Sequence, residues 1–110
     1  MEWIEYKSKK ILYANWAGFK GEKGIQAITE LGKEYTKHSK NSILVILDVS
    51  NTVSNENAVK KLSELSKNSP ARAVAIVGFN TIKRLIASRI RKDAYFAKDL
   101  LDAKEWLIMQ

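Results

Sequence analysis

At 110 residues, with 45% apolar and 28% charged side chains, the chain has the size and composition of one globular domain with a modest core. The lack of cysteine excludes disulfides, thiolate metal sites and cysteine nucleophiles, and a single histidine excludes His-rich metal sites and disfavours a His-based triad. The net charge of +7, with its excess around Arg72, Lys83, Arg84, Arg89, Arg91, Lys92 and Lys98, is that of a plain solvated face or of one that attracts nucleic acid, anionic lipid or an acidic protein.

The amino terminus, Met1-Glu-Trp-Ile-Glu-Tyr6, lacks the basic-then-apolar order of a signal peptide. The longest apolar run falls far short of the ~20 residues of a membrane helix. The expectation is therefore a single domain over residues 1–110, cytoplasmic and without a membrane span. Trp3–Lys7 and Lys10–Trp16 flank the polar break Ser8-Lys9 and read as two antiparallel strands joined by a tight turn. Gly18 to Gly21 end the second strand. From Glu22 to about His38, Ile25, Ile28, Leu31 and Tyr35 recur at helical spacing, with Gly24 and Gly32 weakening the helix slightly. Ile43-Leu-Val-Ile-Leu-Asp48 is apolar without alternation, the pattern of a strand covered on both faces. A helix follows from about Glu56 to Lys67, then a second apolar strand, Ala71–Val77, ending at Gly78. Thr81–Lys92 has the stripe Ile82, Leu85, Ile86 and Ile90 of another helix, with Lys83, Arg84 and Arg91 exposed. A short strand at Ala94–Ala97 precedes a last helix, Asp99–Met109, with Asp99 as its N-cap. The order ββαβαβαβα predicts an α/β fold with a mixed, mostly parallel sheet and right-handed crossovers.

This order places Asp48, Ser50, Thr52, Ser54 and Asn55 at the carboxyl end of a central strand, where open α/β sheets carry their sites. The amino end of the following helix offers free N–H groups to an anion, and the hydroxyls add donors. The structural alternative is that Ser54 or Asn55 caps the helix while Ser50 and Thr52 make turn hydrogen bonds. Gly21-Glu-Lys-Gly24 lacks the spacing of a phosphate loop. No base is visible to activate a serine, and His38 reads as an exposed side chain at a helix end. Neither catalysis, nor a cofactor, nor a metal is expected. Trp3, Tyr6, Tyr13, Trp16 and Phe19 either line an apolar pocket or self-association face, or complete a small core. The basic helix at Thr81–Lys92 has no helix-turn-helix partner, stacking platform or glycine clamp, so nucleic acid is not an expected partner.

Three stretches, Ile11-Leu-Tyr-Ala-Asn-Trp-Ala-Gly18, Ile43-Leu-Val-Ile-Leu-Asp-Val-Ser50 and Ala73-Val-Ala-Ile-Val-Gly78, together with the closing Ala97–Leu107, resemble the STAS superfamily, specifically its SpoIIAA-like (STAS/SEC14-like) group. The resemblance covers nearly the whole chain. It implies βα units wound in sequential order with the helices mainly on one side of the sheet. Anti-sigma factor antagonists of that superfamily carry an Asp-Ser-Ser-Gly tetrad whose serine is phosphorylated. Laid over this chain, the tetrad falls on Val53, Ser54, Asn55 and Glu56, with Asn55 at the phosphoacceptor position. The resemblance thus implies a non-enzymatic regulatory module that binds a protein partner, as a homodimer. Asp48 would fix the loop, Ser54 and Asn55 would present contacts, and Lys83, Arg84 and Arg91 would steer an acidic partner. The alternative is a carrier of a small lipid-like or anionic ligand between sheet and helices. Alanines 71, 73 and 75, on one strand face, would leave it room or admit a helix closely.

Overall fold

The computed structural model describes residues 1–52, 56–78, 80 and 87–110. Strand β1 (Glu2–Tyr6) pairs antiparallel with β2 (Lys9–Asn15), Tyr6 opposite Lys9. The turn between them places Lys7 and Ser8 both at positive φ, 47° and 68°, the handedness that matches strand twist. Helix α1 (Glu22–Tyr35) leads to β3 (Ile43–Asp48), α2 (Glu56–Lys67) to β4 (Ala71–Val77), and β5 (Tyr95–Ala97) to α3 (Leu100–Leu107). Residues 87–90 are helical, and the remainder of the helix expected over Thr81–Lys92 includes positions 81–86, outside the described residues. The sheet order is β1-β2-β3-β4-β5, antiparallel only between β1 and β2. The α/β class and the mixed, mostly parallel sheet follow as expected. No described helix is long and apolar enough to cross a membrane.

Both faces of β3 and β4 are buried, which accounts for their unbroken apolar runs. On one face Leu12, Trp16, Val45, Leu47, Val74 and Ile76 pack with Ile28 and Leu31 of α1, and Leu62 and Leu65 of α2 join them. Gly32 has a packing role here. A Cβ built on it would lie 2.8 Å from Cδ1 of Leu65, so the small residue lets α1 and α2 approach. On the other face Ile11, Leu44, Ile46, Ala73, Ala75 and Val77 pack with Ala103 and Leu107 of α3. Among the described residues the helices therefore divide unequally, with α3 alone on its side.

Between Ile43 and Leu44 the register shifts, so that Ala71 faces Ile43 and Ala73 faces Leu44, with Arg72 as the extra residue. The bulge corrects the expectation that alanines 71, 73 and 75 share a face. Ala71 belongs to the α1–α2 side, while Ala73 and Ala75 lie under α3, where with Ala97 they admit Ala103 at 0% exposure. The aromatic cluster is divided as well. Trp16 and Phe19 pack on the α1 side, where the Trp3 indole also donates to Glu34, and Tyr6 and Tyr13 lie on the α3 side.

Eight residues make a helix too short to persist alone, so tertiary contacts hold α3. Asp99, in extended backbone at φ −158°, caps it by accepting from the Asp102 amide at 2.7 Å, as expected from sequence. Two tyrosine–carboxylate bonds then fix its sides. The Tyr6 hydroxyl donates to Glu105 at 2.6 Å, with Lys7 3.2 Å from the same carboxylate, and the Tyr95 hydroxyl donates to Asp102 at 3.0 Å while its ring stacks on Trp106. The bond from Tyr6, with Lys7, holds the Glu105 carboxyl below its usual range. The bonds to Glu105 and Asp102 push the Tyr6 and Tyr95 phenols up. A depressed acid stabilises the fold above its unfolded pKa and loses that contribution as pH falls through the folded value; a raised phenol stabilises below about 10 and loses it as pH rises through the folded value. Thermal melts followed by near-UV circular dichroism should therefore show a plateau near neutrality with losses at both ends. The double variant Tyr6→Phe/Tyr95→Phe should have a lower plateau and shallower losses; unchanged slopes would show that these bonds do not hold α3.

Candidate functional site

The parallel register brings the carboxyl ends of β2, β3 and β4 together, Asn15 opposite Asp48 and Asp48 opposite Val77. Hydrogen bonds continue the lacing beyond the strands. The Trp16 amide donates to the Asp48 carbonyl at 2.9 Å, the Val49 amide to the Val77 carbonyl at 2.9 Å, and the Gly18 amide to the Ser50 carbonyl at 2.8 Å. The three segments thus form one corner, in the arrangement the βα order predicts.

Asp48 organises that corner locally. Its Oδ1 accepts from the Ser50 amide at 3.0 Å and from the Ser50 hydroxyl at 2.7 Å, an Asx turn that locks the first residues of the loop. Asn51 adopts φ 56°, a conformation asparagine tolerates, and turns the chain outward. Thr52 then closes the turn, its amide and hydroxyl both donating to the Val49 carbonyl at 3.2 and 2.8 Å. Ser50 and Thr52 therefore make the turn hydrogen bonds allowed for in the sequence, and both remain half-exposed. The carboxylate shares the α3 side of the sheet with Tyr13. Burial, followed by the charges of Asp48 and Glu2, pushes the Tyr13 phenol up, so its hydroxyl stays protonated at neutral pH.

Two further residues, absent from the sequence candidates, complete the corner. Asn15 accepts from the Ala17 amide at 3.2 Å and turns the chain leaving β2. Gly78 combines φ +82° with a Cβ position only 2.6 Å from both the Ser50 Cα and amide nitrogen, and nearer still to its hydroxyl. No side chain fits there. A glycine after the strand is visible in sequence as a stop signal, but its contact with Ser50 is a product of the sheet order.

Ser54 and Asn55 lie outside the described residues, as do Lys83 and Arg84. Arg91 is described, and it sits elsewhere. Its guanidinium holds Asp93 at 2.7 Å and the carbonyls of Ala71 and Arg72 at 3.3 and 3.4 Å, at the start of β4 and the opposite end of the sheet from Asp48. Arg91 therefore ties residues 91–93 to the β4 bulge and supplies no charge to the Asp48 corner. His38 is half-buried on the other side of the sheet, its ring 5.3 Å from that of Trp3 and Nε2 3.6 Å from Glu34, a packed position where sequence suggested an exposed one. Among the described residues no cluster of three His, Asp or Glu is placed to hold a metal ion.

A cleft between the sheet and its helices, lined by Tyr35, Leu62, Ser66, Val74, Ile90 and Arg91 among others, encloses about 40 Å³. That is room for a few waters, against the ~300 Å³ of small-molecule sites. Comparison with protein-family models, with curated proteins and with solved structures finds no match for this chain. The corner's dependence on Gly78 is directly measurable. Gly78→Ala should destabilise the fold by about 1–3 kcal/mol from backbone strain alone, with a further cost from the contact with Ser50. Gly24→Ala, at a helical position with open space, should be neutral or stabilising, and equal melting of the two variants would refute this account.

Proposed function

We propose that this chain is a non-enzymatic, STAS-like protein-interaction module of the SpoIIAA-like kind, which presents the Asp48–Asn57 corner to a protein partner. The observation that carries the reading is the self-contained Asx turn. Asp48 spends its Oδ1 on the Ser50 amide and hydroxyl, and Thr52 spends its donors on Val49, so the turn Asp48–Thr52 is held in one shape by its own bonds. A pre-shaped polar loop loses little freedom on binding, which favours specific docking. The same bonds argue against hydrolytic chemistry. The Ser50 proton is directed at a carboxylate already serving the turn, and the chain's one histidine is packed against Trp3 and Glu34 on the other side of the sheet.

The carrier reading gains less support, because the cleft that the described residues form between sheet and helices is several times smaller than a lipid-like ligand requires. A homodimer belongs to the same proposal. It would join the outer edge of β1, the free end of the sheet where Trp3 is 40% exposed, to β1 of a second copy.

Affinity capture from extracts of the native source, with the captured protein identified and then purified, tests the partner surface. The purified partner should bind the wild-type chain at least ten-fold more tightly than a Thr52→Ala/Asn57→Arg variant of unchanged melting temperature. A Lys60→Glu control, on the exposed side of α2, should bind like wild type. Equal binding by the corner variant would reject the surface. A retained small-molecule mass in native mass spectrometry of the same preparation would instead favour the carrier.

A further inference from the structure

The fold collects positive charge at the end of the sheet opposite the Asp48 corner. Lys9 opens β2, Lys40 precedes β3, Lys67 ends α2 just before β4, Arg72 is the bulged residue of β4, and Lys92 precedes β5. All five are exposed, and none forms an ion pair with a described residue. Of the carboxylates near this rim, Glu105 is engaged by Lys7, Asp93 by Arg91 and Glu34 by Lys37, which leaves Glu5 and Glu64 against the five cations. Glu5 stands across the hairpin from Lys10. The cations that remain repeat from strand to strand, so at ~4.8 Å per strand the row from β2 to β5 is ~14 Å long. Between them the rim loops carry exposed Ser8, Ser39, Asn41 and Asn68, hydroxyl and amide donors of the type that contact phosphate.

We infer that this amino-terminal rim binds the phosphate backbone of a nucleic-acid duplex without reading its sequence. Along each strand of a duplex one phosphate charge recurs every ~3.4 Å, a spacing close to that of five cations spread over ~14 Å. The rim's composition distinguishes among polyanions. Exposed large apolar side chains among the described residues are Met1, Trp3, Leu101 and Met109; of these Met109, just past the end of α3 that holds Glu105, lies toward the rim, and one such side chain is not an apolar face of the kind that enters a lipid surface. The aromatic side chain of these loops, His38, is half-buried against Trp3 and Glu34, so it presents no open face on which single-stranded bases stack. The sequence argument against nucleic acid concerns the helix at Thr81–Lys92. The rim is a different surface, independent of the protein-partner reading.

Fluorescence anisotropy with a labelled 20-base-pair DNA duplex of arbitrary sequence tests the inference on the full chain. Binding at ~50 mM salt should weaken with a slope of about −3.5 to −5.5 in log affinity against log salt, the value for about four to six phosphates contacted. The rim variant Lys9→Glu/Lys40→Glu/Arg72→Glu should lose at least ten-fold in affinity. Lys20→Glu/Lys23→Glu/Lys98→Glu, with the same change in net charge, should stay within two-fold of wild type. Should the rim triple fail to fold, as judged by near-UV circular dichroism, the single variants Lys40→Glu and Arg72→Glu take its place, each expected to lose about two- to three-fold. Equal losses in both triples would reduce the effect to overall charge and overturn the inference, as would absence of duplex binding. Equal or tighter binding to poly-glutamate, or to vesicles of 30% phosphatidylserine, would overturn it in favour of an acidic protein or a lipid surface.

Discussion

A sheet that is apolar on both faces at its centre must be covered on both faces, and this requirement governs the molecule. Ile46 and Ala75 are as fully excluded from water as Val45, yet the side chains on their face meet only one of the described helices. Burial at about 25 cal/mol per Å² makes that cover worth several kcal/mol, an amount a helix of this length cannot match from its own hydrogen bonds. The last helix therefore derives its existence from the sheet, and the sheet its dry second face from the helix. Small side chains make the fit possible: Ala73, Ala75, Ala97 and Ala103 bring backbone close to backbone, and Leu107 closes the contact. The tyrosine–carboxylate bonds at either side are partly exposed, so they set orientation more than energy.

Sequential strand order has a second consequence at the carboxyl edge. Because neighbouring strands in the sheet are neighbours in the chain, each loop leaving the edge lies beside the next, and their amides and carbonyls satisfy one another. The Asp48 loop is thereby supported from both sides, by Gly18 on one and Gly78 on the other. Its side chains are relieved of most structural duty except within the turn itself. Half-exposed Thr52 and exposed Asn57 are the accessible candidates for contact.

What could be read from residues alone divides along physical lines. The Ile43–Leu47 run identifies a central strand because burial on both faces leaves no alternation. Asp99 identifies a helix start because capping depends on neighbours three residues away. The bulge at Arg72 was hidden, since register is decided by the partner strand and nothing in Ala71-Arg-Ala73 marks it. So was the face taken by the last helix, since its apolar stripe fits either side of a doubly buried sheet. Tyr6 and Glu105 meet across almost the entire chain, a contact no local pattern announces. The corner at Asp48 was legible in Ser50 and Thr52, because turn chemistry is local, and hidden in Asn15 and Gly78, because their roles come from adjacent strands.

Charge shows the same distinction between local pattern and assembled surface. Counted along the chain, the positive excess belongs to residues 71–98 and suggests one basic helix beside the polar loop. In the folded chain Arg91 is consumed by Asp93 and by the backbone of β4, far from that loop, while lysines from four separate connections align at the other end. Parallel strands produce this alignment whenever the segments entering them are basic, because every such strand begins at the same edge. A partner attracted by that edge approaches from the side away from Asp48, leaving the corner open. The two surfaces are therefore separable by mutation and by salt: exposed cations are screened within ~10 Å at 0.1 M ionic strength, whereas a loop held by short hydrogen bonds keeps its shape. Whatever docks at the corner should bind with weak salt dependence, and whatever docks at the rim with strong dependence.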